Sequence, residues 1–271
     1  MKNTLGAICL IAITGLACST AHGATLAEIK ARGYMVVATE DDYKPFEFVA
    51  DGKPTGFDNE MLAELRKVVP FEIRQEIIPW TGILAGVTTG KYDVALTAAT
   101  VTNERMQSLD FVAPIAETTN YYAKRKADDS IKDVGDLNGK SCGVQTGSAQ
   151  LQMLPQLDAL LAKSGGKIGT VRQYTSYSEA YQDLALGRTD CVINTIINLR
   201  SLANDKPNVF EVGKAVADQT VSAWAVSKGN TEVLTLLNDF IGKERQNGNF
   251  YKLQEKWFGQ SFPNLPEKTS P

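Results

Sequence analysis

Histidine is almost missing from this chain. Its 271 residues include one, His22, and that one lies in an N-terminal stretch with the character of a removable leader. A mature chain without histidine excludes Ser-His-Asp and Cys-His nucleophilic machinery, and with it any histidine-ligated metal site. Long apolar runs are scarce as well: past the N-terminus no unbroken apolar stretch of about 18 residues occurs, so nothing there reads as a membrane span. Strong charge of either sign is lacking, with 28 Lys and Arg against 31 Asp and Glu. Such a chain has no electrostatic footprint for nucleic acid or an anionic membrane. Phosphate motifs are absent too. No G-x-G-x-x-G occurs, and Gly135-Asp136-Leu137-Asn138-Gly139-Lys140-Ser141 is one residue short of a P-loop and leads into a strand, so it reads as a turn. No catalytic residue, metal site or cofactor is assigned.

What is present begins with the leader. Lys2 supplies a positive start, Leu5 to Ala17 is apolar, and Ala21-His22-Gly23 places small residues around a larger one. This is the pattern of a secretory signal peptide over residues 1–23, cut before Ala24, and it predicts a periplasmic protein. A lipoprotein signal at Cys18 ranks second, because Leu16 sits one place too close to the cysteine. Loss of Lys2 leaves 27 basic against 31 acidic residues, a balance of -4. Of four cysteines, Cys142 and Cys191 then remain, each opening an apolar strand-like run. An oxidising compartment permits a disulfide between them; two separately buried thiols is the favoured alternative, since sequence does not fix geometry.

Periodicity predicts an α/β protein. Leu26 to Ile29 reads as helix and Val36 to Ala38 as strand. Met61, Leu62, Leu65, Val68 and Val69 fall at helical spacing within Asp58 to Val69. Phe71 to Ile78 alternates as a strand, Gly82 to Thr89 is a helix, and Tyr92 to Leu96 is a strand again. Strand–helix alternation of this kind builds a mostly parallel sheet. The pattern restarts with a strand at Ser141 to Val144, a helix from Ser148, a strand at Ile168 to Tyr174, a helix at Ser178 to Leu186 and a strand at Asp190 to Asn194. Two amphipathic helices, Thr231 to Asn247 and Tyr251 to Trp257, precede an irregular tail containing Pro263 and Pro266. Two similar units place a ligand cleft between them, outside the carboxyl ends of the strands.

Several residues stand where such a cleft would lie. Arg105 follows a strand and the hydroxyl-rich Thr97, Thr100 and Thr102; a guanidinium there can grip a carboxylate in bidentate fashion, although a lone arginine after a strand is more often solvated or salt-bridged. Gln145 and Ser148 flank the Gly147 turn, where a strand runs into a helix start with free backbone N–H groups, suited equally to an anion or to ordinary capping by Ser148. Tyr43 and Trp80 each sit in a strand-to-helix connection beside a proline, as core aromatics or as cleft walls.

Taken in order, these segments resemble the family 3 bacterial extracellular solute-binding proteins, the polar-amino-acid receptors of ABC importers. Thr39-Glu40-Asp41-Asp42-Tyr43-Lys44-Pro45-Phe46-Glu47 and Gly56-Phe57-Asp58 are similar to the family's opening. Gly90-Lys91-Tyr92-Asp93, Thr100-Val101-Thr102-Asn103-Glu104-Arg105, Asp110-Phe111-Val112-Ala113-Pro114, Leu137-Asn138-Gly139-Lys140, Gly187-Arg188-Thr189-Asp190 and Lys256-Trp257-Phe258-Gly259 continue the resemblance across nearly the whole mature chain. It implies a type II periplasmic-binding-protein fold, with one lobe from residues 24–116 plus 219–271 and the other from 121–214, joined by crossovers near Glu117–Asn120 and Lys214–Asp218. By the same resemblance Arg105 pairs with a ligand α-carboxylate, with Thr100 beside it and the Ala149 backbone N–H opposite. Tyr43 and Trp80 sandwich the ligand side chain. Thr97 and the Ala98 carbonyl accept from the ligand amine, Glu40 meets a cationic group, and Gln145 and Ser148 complete the lining.

One position departs from the family pattern. Where the family usually places an aspartate for the α-ammonium, Cys191-Val192-Ile193-Asn194-Thr195 offers Thr195, a hydroxyl without charge. Either Glu40 supplies the charge, or the ligand is an amino-acid-like compound such as an opine or a cyclic zwitterion; the second is preferred. The expected function is capture of such a zwitterion by lobe closure for ABC permease subunits, by a monomer. Two alternatives are a dehydratase of prephenate or arogenate, which would need an acid where this chain has Asn198, and a sensor acting through a membrane receptor.

Overall fold

A computed structural model describes residues 23–269, so the expected signal peptide, Gly23 apart, lies outside the described residues. Chain order in the first part is α1 (Leu26–Arg32), β1 (Tyr34–Glu40), β2 (Asp42–Tyr43), β3 (Glu47–Ala50), β4 (Lys53–Thr55), α2 (Phe57–Val68), β5 (Glu72–Ile78), α3 (Ile83–Thr88), β6 (Val94–Thr100), β7 (Leu109–Phe111) and β8 (Ala116–Glu117). The middle part runs β9 (Asn120–Arg125), β10 (Cys142–Gln145), α4 (Ala149–Gln152), α5 (Leu154–Ala162), β11 (Val171–Tyr174), α6 (Tyr177–Ala185), β12 (Cys191–Thr195), α7 (Ile196–Asp205) and β13 (Phe210–Ala215). The chain then returns as β14 (Val221–Ser227), α8 (Thr231–Gln246) and α9 (Asn249–Phe258).

Local chemistry starts and stops these elements where the pattern predicts. Thr25 and Glu28 form a reciprocal capping box at α1, and Ser176 with Glu179 does the same for α6. In α2, Met61, Leu62 and Leu65 are fully buried while Arg66 and Lys67 face water. Every residue of β6 is buried, as befits a strand covered on both faces, whereas β5 at the sheet edge alternates.

Two sheets result. The first has the order β5-β1-β6-β14-β7, with β8 also on β14; the second has the order β11-β10-β12-β9-β13. In the first sheet β1, β5 and β6 are parallel, and β14 inserts antiparallel beside β6, with Ser222 opposite Thr100. The return strand is anchored by Trp224, fully buried, whose indole N–H donates to Asp58 on α2 at 2.7 Å. In the second sheet β10, β11 and β12 are parallel while β9 runs antiparallel to β12 and β13. Both sheets are thus mixed, and the mostly parallel expectation holds for the βα repeats alone. The antiparallel strands β9, β13 and β14 have no counterpart in the periodicity reading, because β9 and β14 follow the preceding strand directly, with no helix between, and β13 follows α7 without continuing the parallel run.

The two cysteines correct the expectation of separate thiols. Cys142 opens β10, Cys191 opens β12, and the parallel register sets them directly opposite each other, where they form a disulfide. Both are fully buried. The bridge closes a span of 49 residues, for which loop-closure entropy gives about 4 kcal/mol. Replacing both cysteines by alanine is therefore expected to lower the unfolding free energy by up to about 4 kcal/mol, read by urea denaturation of the ligand-free protein.

Candidate functional site

The end of β6 delivers Arg105. After Thr100 the chain turns into a single 3-10 turn, Arg105–Gln107, whose first N–H donates to Thr102 Oγ1 at 3.2 Å. The guanidinium folds back so that Nη1 donates to the Thr100 carbonyl at 2.8 Å, and Nη2 reaches the Gly147 carbonyl on the second unit at 3.4 Å. The ring of Trp80 lies 5.0 Å from Cζ. Arg105 is 7% exposed and forms no ion pair among the described residues. Burial pulls its pKa down to about 10. A guanidinium has five donors, and two are used here.

Most of the residues expected at the cleft line the same cavity. Glu40 at the end of β1, Tyr43, Trp80, Ala98, Thr100 and Arg105 come from the first unit; Gln145, Ser148 and Ala149 come from the second. Ala99 and Gln150 join them without having been singled out in the sequence. The enclosed space is about 10 Å³, at the lower limit for a single water. The walls therefore touch. Gly147 adopts a left-handed φ of 69° in the turn before Ser148, and a Cβ there would sit 3.7 Å from the Trp80 indole nitrogen. Ser148 caps α4 by accepting from Leu151 N–H, and Ala149, as the first helical residue, keeps an N–H with no intrahelical partner.

Contacts between the two units hold this arrangement. Gln145 Nε2 donates to Glu40 at 2.6 Å, Ser178 to Asp42 at 2.9 Å, and Asn198 Nδ2 to the Lys44 carbonyl at 2.8 Å. Lys44 and Asp205 form an ion pair of 2.5 Å nearer the surface. Glu40 is 3% exposed, and burial pushes its pKa up to about 8.

Two expected site residues have other work. The Thr97 hydroxyl donates to Glu47, and the Thr195 hydroxyl caps α7 and bonds Asn198. Neither lines the cavity at Arg105. Beneath Thr97, Glu47 and Asp58 are fully buried carboxyls, both with raised pKa; burial is the main cause, and Asp58 reaches about 6.

Sequence reasoning also passed over Tyr177, Tyr181 and Asn194, which face Tyr43 across the junction. The signal was the run Tyr174, Tyr177 and Tyr181, placing two tyrosines on one face of α6.

This fold is that of the type II periplasmic binding proteins: two mixed α/β units with a polar cleft at the strand ends, one carrying an unpaired arginine and the other a capped turn. The chain belongs to the bacterial extracellular solute-binding proteins, family 3, whose model matches residues 35–260. It is 30% identical over 258 residues to the L-cystine-binding protein TcyJ of Escherichia coli (strain K12), covering 94% of each chain. To the arginine-binding extracellular protein ArtP of Bacillus subtilis (strain 168) it is 29% identical over 226 residues, covering 83% of this chain and 86% of that one. Among solved structures it is similar to the ancestral amino acid-binding protein AncCDT-1, a precursor of cyclohexadienyl dehydratase. The TM-score is 0.76 and the identity 30%, over 86% of this chain and 98% of that one. No described helix is long and apolar enough to cross a membrane.

The buried carboxyls set a pH dependence. Glu40, Glu47 and Asp58 all have folded pKa values above their unfolded ones, so the folded state binds more protons than the unfolded chain between about pH 4.5 and 8. Stability is greatest at the acidic end of that window and falls as pH rises through it. The ligand-free Tm is expected to drop by more than about 3 °C from pH 5 to pH 8, and Glu40→Gln to flatten the upper part of that slope, measured by differential scanning calorimetry.

Proposed function

We propose that this chain is an exported periplasmic receptor that closes on a small amino-acid-like zwitterion and presents it to the permease of an ABC importer. The observation that carries this reading is Arg105, a buried guanidinium with no counter-ion among the described residues, at the meeting of two units. Such a cation is costly to bury until a carboxylate pairs with it. Ala149, at the start of α4, lines the same cavity from the other side, so a carboxylate between them makes contacts available only when the units meet, and the ligand shifts the equilibrium toward closure.

In this reading Tyr43 and Trp80 clasp the ligand side chain. Its amine meets the Ala98 carbonyl, Thr100 and Glu40. Thr195 is occupied in capping α7, so the negative charge for an ammonium comes from Glu40, which ionises when the ammonium arrives. The lobes are residues 24–116 plus 219–271 and residues 121–214. In support, β8 ends in the first sheet at Glu117 and β9 starts in the second at Asn120, while β13 ends at Ala215 and β14 begins at Val221. The relatives' names, which specify cystine and arginine, support an amino acid as the ligand.

The similarity to a dehydratase precursor is the observation that favours an enzyme instead. Against it, Asn198 stands where the acid would be, its amide donating to the Lys44 carbonyl and accepting from Thr195. An amide does not deliver the proton such an elimination requires. Turnover of prephenate to phenylpyruvate by the purified protein would reverse this choice.

The decisive test is Arg105→Ala. In a thermal-shift screen across amino acids and opines, the wild type is expected to be stabilised by its ligand. The variant should fold without ligand and lose about 3 kcal/mol of binding, roughly 100-fold in Kd. A ligand without a carboxylate, or an unchanged Kd in the variant, would overturn the assignment.

A further inference from the structure

Beyond the Arg105 cavity the junction holds a second, larger one of about 230 Å³. Its walls are Tyr177 and Tyr181 on α6, Asn194 on β12, Asn198 and Ser201 on α7, and Asp42 on the first unit. The two cavities share Tyr43. The partition is thin: the Tyr43 and Tyr177 rings lie 6.1 Å apart, and the Tyr177 hydroxyl donates to the Ile193 carbonyl at 3.2 Å. Tyr43 is held at its far end by a long bond, 3.4 Å, from its hydroxyl to Asn194 Oδ1. Tyr43 is thus the side chain that stands between the two spaces.

The chemistry of the second cavity differs from that of the first. Tyr177 and Tyr181 stack at 5.8 Å and give it an aromatic side. Asn194 bonds the Tyr181 hydroxyl, and Asn198 bonds the Lys44 carbonyl, so the amides are fixed in place. Asp42 and Lys206 are the unbalanced charges of the lining, of opposite sign, and neither forms an ion pair among the described residues. Lys44 is engaged by Asp205 at the rim, whereas Asp42 accepts from Ser178. Burial pushes the Asp42 carboxyl up, and a donated hydrogen bond or a cation would relieve that cost. Size adds a further constraint. A cavity of about 150 Å³ holds benzene, so the space beyond Tyr43 takes a group of more than about six heavy atoms.

We propose that the ligand is two-headed: an α-amino-acid end at Arg105, and beyond Tyr43 a second polar unit of about amino-acid size whose ammonium faces Asp42 between Tyr177 and Tyr181. This rests on the reading that Arg105 takes a carboxylate. It adds a distal subsite built from α6, α7 and Asp42, and it makes the partition by Tyr43 the determinant of ligand length.

The test compares L-cystine, with two amino-acid ends, and S-methyl-L-cysteine, with one, by isothermal titration calorimetry. The variants fill the second cavity without touching the first. Ser201→Phe does so from α7, and Gln182→Trp, at an exposed position of α6 on the cavity edge, serves if the first does not fold. L-cystine is expected to bind the wild type at least about tenfold more tightly than S-methyl-L-cysteine, and the filling variant to erase that advantage while changing the Kd of the shorter probe less than about twofold. Equal affinities in the wild type, or a variant that weakens both probes alike or neither, would overturn the distal subsite. If another single-headed amino acid binds and L-cystine does not, the subsite falls while the receptor reading stands. If no α-amino acid gives heat or a thermal shift, the reading beneath both falls.

Discussion

A guanidinium buried at a seam, without a carboxylate partner among the described residues, is the constraint around which this protein is arranged. Arg105 spends two of its donors on the carbonyls of Thr100 and Gly147, one from each unit, and rests against Trp80. Neutral carbonyls compensate a desolvated cation only in part, which is why its pKa is depressed. The rest of the seam follows from holding that charge in place. β6 is buried along its whole length so that its end is rigid, Gly147 turns left-handed so that its carbonyl faces the arginine, and Ser148 caps α4 behind it. Rigid elements on both sides leave the balance of charge to whatever enters between them.

The carboxyls complement that design. Glu40 sits in the same cavity yet makes no ion pair with Arg105; it accepts from Gln145 instead. The cleft thus keeps a cation and an acid apart, each held by neutral groups. A zwitterion can pair with both once Glu40 ionises, whereas a simple cation leaves Arg105 without a counter-ion and a simple anion leaves Glu40 protonated. Discrimination of this kind comes from the cost of the group left unmatched rather than from the strength of the matched one.

How much of this was legible in the sequence depended on what carried the signal. Arg105 and Tyr43 were readable because each stands in an ordered set of short motifs, Trp80 because it follows Pro79 in a strand-to-helix connection, and the βα repeats because apolar spacing marks them. The strands β9, β13 and β14 were not: β9 and β14 are reached from the preceding strand by bends rather than helices, and β13, though it follows α7, turns antiparallel to β9, so no βα repeat marks them. The Cys142–Cys191 bridge depends on the register between β10 and β12, which two cysteines 49 residues apart do not encode. Thr195 was read as a ligand contact because it occupies a family position; its hydroxyl is already committed to the start of α7. Tyr177 and Tyr181 were passed over because aromatic residues at helical spacing ordinarily mark a packed core.

The return strand has a consequence for how the chain reaches its folded state. The second sheet is drawn wholly from residues within 120–215, so it is complete as soon as that stretch has emerged. The first sheet is not: β6 and β7 must wait for β14, and Ser222 pairs with Thr100 across the entire middle of the chain. That gap spans more than a hundred residues of chain. Throughout its synthesis β6, with the sequence Val94-Ala95-Leu96-Thr97-Ala98-Ala99-Thr100, presents an apolar edge without its neighbour. The last fifth of the molecule, far from the cleft in sequence, therefore decides whether the nascent protein closes its own sheet or pairs with another copy.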